Sequence, residues 1–262
     1  MTTNPQPPLP IDTSKAHPAR VYDWLLGGKG NYPVDEAVGE KLPPEARDAA
    51  RQNRQFMHRA AAWLAMQGID QFLDIGTGIP TEPNLHQIVQ NLVPSAKVVY
   101  TDNDPIVLRH AEALLISGPG GATDYIQADV RDPAAIVQHA RHILDFDRPI
   151  ALSLIALIHF ITDEQDAHGI VRALIDTLPS GSYLILSHAA SDLFPELAEL
   201  VVDEYAKGGI QLAFRTRAEV ERFFDGLDLV PPGLVTATDW FTSPRDPEPE
   251  DSGIYAGVAR IR

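Results

Sequence analysis

The sequence contains no cysteine, which excludes disulfides, zinc–thiolate and iron–sulfur sites and a cysteine nucleophile. It also lacks any apolar run near the roughly 20 residues that a membrane span needs. The longest, Ile150 to Ile158, is broken by Ser153 and has the length of a strand. Basic residues are in short supply: 21 Lys and Arg against 36 Asp and Glu leave a net charge of −15, which repels a polyanion. Neither nucleic acid nor a membrane is therefore expected as a partner. Met1 to Pro10 is polar and proline-rich and lacks the apolar centre of a signal peptide. Residues 1–12 accordingly read as a disordered leader, and the expected location is cytoplasmic.

The rest of the chain has two rhythms. Residues 13–68 carry helical patterns and no strand, and are expected to form a helical cap. One helix begins near Ser14 or Pro18 and is ended by Gly27-Gly28-Lys29-Gly30-Asn31. A longer one runs from about Pro44 to Gln67, with Phe56, Ala60, Trp63 and Leu64 spaced as a buried stripe. Over residues 69–262, short apolar runs (72–75, 98–101, 125–128, 150–157 and 183–186) alternate with helical stretches (105–116, 133–144 and 164–178). That alternation predicts a parallel sheet with helices on both faces. A helix over 216–224 then leads to two strands, Asp228 to Asp239 and Ile254 to Ile261. They are joined by the proline- and acid-rich stretch Ser243 to Ser252, a link suited to an antiparallel pair rather than a crossover. The expected fold is a doubly wound, mostly parallel, seven-stranded α/β sheet of Rossmann-like type with an antiparallel C-terminal strand.

Three strand ends carry the chemistry. Phe72-Leu73-Asp74-Ile75-Gly76-Thr77-Gly78 places an acid and then two glycines at the carboxyl end of the first strand, where doubly wound folds bind ligands. The second strand ends in Asp102 and Asn103, where a carboxylate can accept hydrogen bonds from ribose hydroxyls. The third runs into Asp129 and Val130, where a carboxylate can receive the exocyclic amine of adenine. Asp104, just before Pro105, reads instead as a helix cap. Together these predict a nucleoside-type cofactor, with Asp74, Gly76, Thr77, Gly78, Asp102, Asn103, Asp129 and Val130 binding it. A dinucleotide fingerprint needs a third glycine where Thr81 stands, and Gly27 to Gly30 follows a helix rather than the strand of a phosphate loop. An acid before the first glycine suits the ammonium group of S-adenosylmethionine and is an awkward neighbour for a pyrophosphate.

The stretches Ala19 to Lys29, Asn53-Arg54, Gln71 to Gly78 and Tyr100 to Pro105 resemble an actinobacterial S-adenosylmethionine-dependent methyltransferase family once catalogued as a domain of unknown function. Arg131 to Pro133, His159-Phe160, Gly181 to Leu184 and Phe223 to Leu227 continue the match. The resemblance implies a class I methyltransferase fold and bound S-adenosylmethionine, and leaves the acceptor unnamed. Gly30 stands where the family pattern suggests an acid.

Three residues are candidates for a role in transfer: His159 after the fourth strand, His188 after the fifth, and Tyr22 on the first helix. Arg47, Arg51, Arg54 and His58 share a face of the long helix. They read as a solvated face opposite the core, or else as a basic wall attracting an acidic acceptor or the cofactor carboxylate. In the second reading, Arg54 and Arg20 join the cofactor-binding set, since both lie in the family-like motifs. His139 and His142 lack a carboxylate set, so no metal site is expected. The leading expectation is a methyltransferase acting on a small-molecule acceptor, an acidic one if the basic wall is real. A non-catalytic S-adenosylmethionine-binding module and an NAD-dependent oxidoreductase are the alternatives.

Overall fold

The computed structural model describes residues 12–114, 117–241 and 251–262. The expected leader, apart from Asp12, and residues 243–250 of the C-terminal connection lie outside them. Three helices open the chain: α1 (Pro18–Leu25), α2 (Pro33–Gly39) and α3 (Glu45–Met66). His17 caps α1 by accepting the Ala19 amide, and Pro18 occupies its first position, where no hydrogen bond is lost. The short α2 lay unseen within the expected cap. Asp23 explains the glycine-rich break between them: its carboxylate accepts from the Gly30 amide and the Asn31 side chain, each at 2.8 Å. A Cβ at Gly28 would sit 2.0 Å from that carboxylate, and one at Gly30 would meet Ile79 at 2.9 Å.

The α/β part follows as β1 (Gln71–Ile75), α4 (Leu85–Leu92), β2 (Lys97–Asp102), α5 (Pro105–Leu114), β3 (Ala122–Gln127), α6 (Pro133–Ala140), β4 (Ala151–Leu154), α7 (Ala167–Ile175), β5 (Tyr183–Ala189), α8 (Pro195–Lys207) and α9 (Arg217–Glu221). Three short strands end the chain: β6 (Asp228–Leu229), β7 (Val235–Thr236) and β8 (Ile254–Arg260). The sheet order is β3-β2-β1-β4-β5-β8-β6, with β7 also paired to β8. Strands β1 to β5 are parallel, and β8 runs antiparallel to β5, β6 and β7. The single strand expected over Asp228 to Asp239 is in fact two, making eight strands rather than seven. Pro231 and Pro232 sit between them, and a proline has no N–H to give a ladder.

The sheet is buried on both faces, as its apolar strands require. Leu73, Ile75, Leu152, Leu154, Leu184 and Leu186 pack on the side of α6 and α7. Phe72, Val98, Tyr100, Ala151 and Ile185 face α3 and α4. On α3, Phe56, Ala60 and Leu64 are fully buried as expected. Trp63 is only partly so, standing edge-on to Tyr183 and Trp240. The cap is not built from its own residues alone: Val21, Leu25, Val38, Leu42 and Ala50 form a cluster with Tyr205 and Ile210 from α8 and its exit. Strand order reverses between β2-β1 and β4-β5, and the cap lies over the carboxyl ends of these strands. That reversal is where such a sheet opens a crevice.

Candidate functional site

At the end of β1 the chain turns sharply, with φ of +77° at Gly76 and +67° at Gly78. These values favour glycine because a Cβ would crowd the backbone. The amides of Gly76 and Thr77 donate to the Thr101 carbonyl at 2.7 and 3.1 Å. Gly78 donates to Asp102 Oδ2 at 2.8 Å, while Oδ1 of the same carboxylate accepts from the Asp104 amide at 3.0 Å. The acid at the end of β2 thus holds the glycine loop as well as facing the crevice. Burial pushes its pKa up.

Asp74 lies beside Ser153 in the β1–β4 register, and the serine hydroxyl donates to Asp74 Oδ1 at 2.6 Å. Burial raises the Asp74 carboxyl to about 6, against the opposing influence of Ser153 and Arg54. Asp129 behaves oppositely. Arg131 grips both of its oxygens and Asn103 donates at 3.2 Å, so its pKa falls to about 2. Asp74, the loop from Gly76 to Gly78, Asp102, Asn103, Asp129, Val130 and Arg54 line one cavity of about 530 Å³ whose roof is Ala16 to Ala19 and Tyr22, at and before the start of the first helix. Arg54 reaches from α3 to the carbonyls of Thr81 and Pro83, tying the cap to the exit of the glycine loop.

A second cavity, of about 510 Å³, adjoins the first. Tyr22, Asn53, Ala156 and Phe160 line both. Its remaining wall is largely apolar, with Leu25, Phe194, Leu197, Val201, Leu212 and Phe214, and it also includes His159, Gln52, Glu45, Asp48 and Asp251. A hydrogen-bonded chain crosses the shared wall. The Ala156 amide donates to Ser187 Oγ at 2.9 Å, and that hydroxyl donates to Asn53 Oδ1 at 2.5 Å. Asn53 Nδ2 in turn donates to the Tyr22 hydroxyl at 2.9 Å, which donates to the Ala50 carbonyl at 3.0 Å. Ala156 holds φ at +51°, a costly value for a residue with a Cβ.

A family model described as S-adenosyl methyltransferase matches residues 4–262. The chain belongs to that family. A DUF574-family protein from Streptomyces avermitilis is 47% identical over 97% of this chain and 100% of its own, with a TM-score of 0.93. A Thermobifida fusca protein is 36% identical over 98% of each chain, with a TM-score of 0.86. The plantazolicin methyltransferase BpumL, solved with S-adenosylhomocysteine, is 12% identical over 93% of this chain and 96% of its own. Its TM-score of 0.54 shows a shared fold. No curated protein matches. The chain is thus an S-adenosylmethionine-dependent methyltransferase of class I fold, with S-adenosylmethionine as its cofactor.

The methyltransferase brings together every residue expected at the three strand ends, and Tyr22 and Arg54 with them. It does not bring Arg20. That side chain is 4% exposed and bridges Asp104 at 3.0 Å and Asp35 at 3.6 Å, away from either cavity's lining. Two buried carboxylates draw it inward, so its place in the family-like motif reflects cap anchoring. Asp104 is therefore more than a cap. It does accept the Ile106 amide, and it also pairs with Arg20.

His188 is likewise displaced. It is fully buried, held between Arg215 at 2.7 Å and the Ala189 carbonyl at 2.8 Å, and lines neither cavity. Alternation along β5 puts it on the face of Leu184 and Leu186, the side of α7. His159 does line the second cavity. Burial and Arg215 lower its pKa to about 3, and its Nδ1 faces the Ala189 amide at 3.4 Å.

The basic stripe on α3 divides. Arg47 stacks over Trp24 and Arg51 is exposed beside Asp48, whereas Arg54 and the half-buried His58 turn under the loop at 81–83. The face expected to be wholly solvated is covered there because α3 runs beneath the link from β1 to α4. Sequence reasoning passed over His17, Gln52 and Ser153. Only the last carried a usable signal, a polar residue inside an otherwise apolar strand.

Proposed function

We propose that this methyltransferase holds its cofactor in the first cavity and transfers the methyl group to a small molecule in the second. The observation that carries the reading is the wall of Tyr22, Asn53, Ala156 and Phe160 common to both cavities, which puts a donor and an acceptor within reach. The first cavity has the chemistry the cofactor needs. Asp74, partly buried in the cavity wall and without an ion pair, offers itself to the ammonium group, and Arg54 stands near for the carboxylate. Each Asp102 oxygen keeps a lone pair beyond its backbone partner for the ribose hydroxyls. Asp129 and Val130 border the place for adenine.

When bound, S-adenosylmethionine supplies an electrophilic methyl carbon. The chain's own part is to orient and to exclude water, with α1 as the roof. No ready base stands at the shared wall. The Tyr22 proton is committed to the Ala50 carbonyl, and burial raises that phenol further. Among the described residues, the charged ones lining the second cavity are Glu45, Asp251 and Asp48, the last paired with Arg51, which favours a neutral or cationic acceptor over an acidic one.

Calorimetric titration with S-adenosylmethionine, S-adenosylhomocysteine and NAD tests the cofactor half, with Asp102→Ala alongside and circular dichroism to check its fold. Binding of the first two and its loss in the variant are expected. Binding of NAD alone, or undiminished affinity in the variant, would overturn it.

A further inference from the structure

Resting on that reading of the second cavity, we infer that the acceptor is a small amine with an apolar body and that the methyl group goes to its nitrogen. The first ground is the proton problem. An alcohol must lose a proton of very high pKa to attack, and this needs a base. Neither candidate can serve. The Tyr22 hydroxyl gives its proton to Ala50, while the His159 Nδ1 lone pair accepts the Ala189 amide, which leaves the ring hydrogen on Nε2, and burial makes that ring a weak base. Asn53, Ala156 and Phe160, the rest of the shared wall, have no basic atom. A nitrogen brings its own lone pair and needs no such residue.

The second ground is charge. Carboxylates, thiolates and enolates attack as anions and would enter a cavity that no lysine or arginine lines among the described residues. Asp48 is paired with Arg51, and the remaining charges, Glu45 and Asp251, draw a cation instead. An amine arriving as ammonium meets these carboxylates first. Moving into the apolar interior then lowers its pKa, since burial disfavours the charged form.

The third ground is independent of both. Gln52, 6% exposed, lines this cavity, and its amide nitrogen reaches the Asp251 carbonyl at 3.4 Å. Its Oε1 is buried with no hydrogen-bond partner among the described residues. An unfilled buried acceptor costs free energy until a donor arrives, and the N–H of an amine is such a donor. The aromatic wall of Phe160, Phe194 and Phe214 suits a flat or branched hydrocarbon body. In the transfer, the nitrogen lone pair forms the new N–C bond while the methyl C–S bond breaks and leaves its pair on sulfur. The arriving ammonium first gives one proton to water, which frees that lone pair, and the product leaves as the N-methylammonium, so atoms and charge balance.

The test uses the full chain saturated with S-adenosylhomocysteine and three probes of one body: 2-phenylethylamine, 2-phenylethanol and 3-phenylpropionate. Probe binding is followed by ligand-observed NMR, and transfer from S-adenosylmethionine by mass spectrometry of the probe. The amine is expected to bind at least tenfold more tightly than the other two and alone to gain a methyl group. Gln52→Leu should weaken amine binding severalfold and leave S-adenosylhomocysteine affinity unchanged. Val201→Phe, which adds bulk to the cavity wall from α8, should abolish amine binding with the cofactor again unaffected. Equal or better binding of the alcohol or acid overturns the inference, as does amine binding indifferent to both variants. So does a wider set of aryl-alkyl amines that fails to bind while S-adenosylhomocysteine binds normally. Failure of S-adenosylhomocysteine itself to bind would instead overturn the cofactor reading beneath it.

Discussion

Asn53 donates to the Tyr22 hydroxyl at 2.9 Å, joining the long cap helix to the first one at the wall between two cavities. The bond makes Tyr22 a positioning residue. Tyr22→Phe strips a partner from both the Asn53 amide and the Ala50 carbonyl, a loss of about 1–2 kcal/mol. Chemical denaturation should show that loss. Cofactor affinity should change less than threefold, and no limb of any pH–rate profile should disappear. A rate loss of a hundredfold or more would make Tyr22 an acid–base group after all.

Asp74 offers a stability test with opposite signs for fold and cofactor. Its carboxyl is raised to about 6 by burial, above an ordinary value of 3.8. The folded state therefore holds its proton more tightly than the unfolded one, and the unliganded protein loses stability as pH rises from about 4 to 6. Asp74→Asn removes the buried charge and should stabilise the unliganded protein at pH 7 by on the order of 1–3 kcal/mol. The same change should weaken S-adenosylmethionine tenfold or more. In the wild type, affinity should climb with pH through about 6 and level off above 7, as the carboxylate forms to meet the ammonium group. A pH-independent affinity would refute the pairing.

The two loop glycines should fail differently when changed to alanine. At Gly76 a Cβ would lie 2.7 Å from Leu157, and φ is +77°, so Gly76→Ala should cost about 2 kcal/mol or more of stability. At Gly78 nothing lies within 4 Å of the added atom and φ is +67°. Gly78→Ala should cost about 1 kcal/mol of stability but at least tenfold in cofactor affinity, because the methyl group projects into the cleft. Thermal melts with and without S-adenosylhomocysteine separate the two outcomes.

Arg20 and Asp104 form a buried ion pair that fastens α1 beside the cofactor cleft. Removing the cation in Arg20→Met leaves Asp104 and Asp35 buried with their charges uncompensated, and should destabilise by about 3–5 kcal/mol. Adding Asp104→Asn should recover part of that loss, because the second change removes one of the stranded charges. Urea unfolding of the single and double variants measures the coupling. Strictly additive effects would mean that the pair contributes nothing as a pair.

Much of the fold was legible before any coordinates. Apolar runs such as 150–157 and the glycine turn after Ile75 mark strands and their ends because those local patterns are what a two-sided sheet and a left-handed turn require. The same locality located Asp74, Asp102 and Asp129, one at each strand end. It misjudged Asp228 to Asp239 as one strand, although the prolines that divide it were in plain view. Helices α4 and α8 escaped notice, and α8 completes the cap's apolar cluster through Tyr205 and its exit residue Ile210.

Sequence alone thus determined the architecture, the cofactor and the three acids that line one cavity, since each follows from residues close together in the chain. Tertiary structure decided which polar residues of the cap point where. Arg20 and Arg54 looked equivalent in their motifs, yet buried carboxylates pull one into the cap while loop carbonyls hold the other at the cleft. His159 and His188, each at a strand end, were separated by which face of β5 the second one occupies. The orphaned Gln52 carbonyl and the wall shared by two cavities exist only once α1, α3 and the ends of β4 and β5 meet. Such side-chain environments depend on residues more than a hundred positions apart, as in the Asn53–Ser187 bond, and no local pattern encodes them.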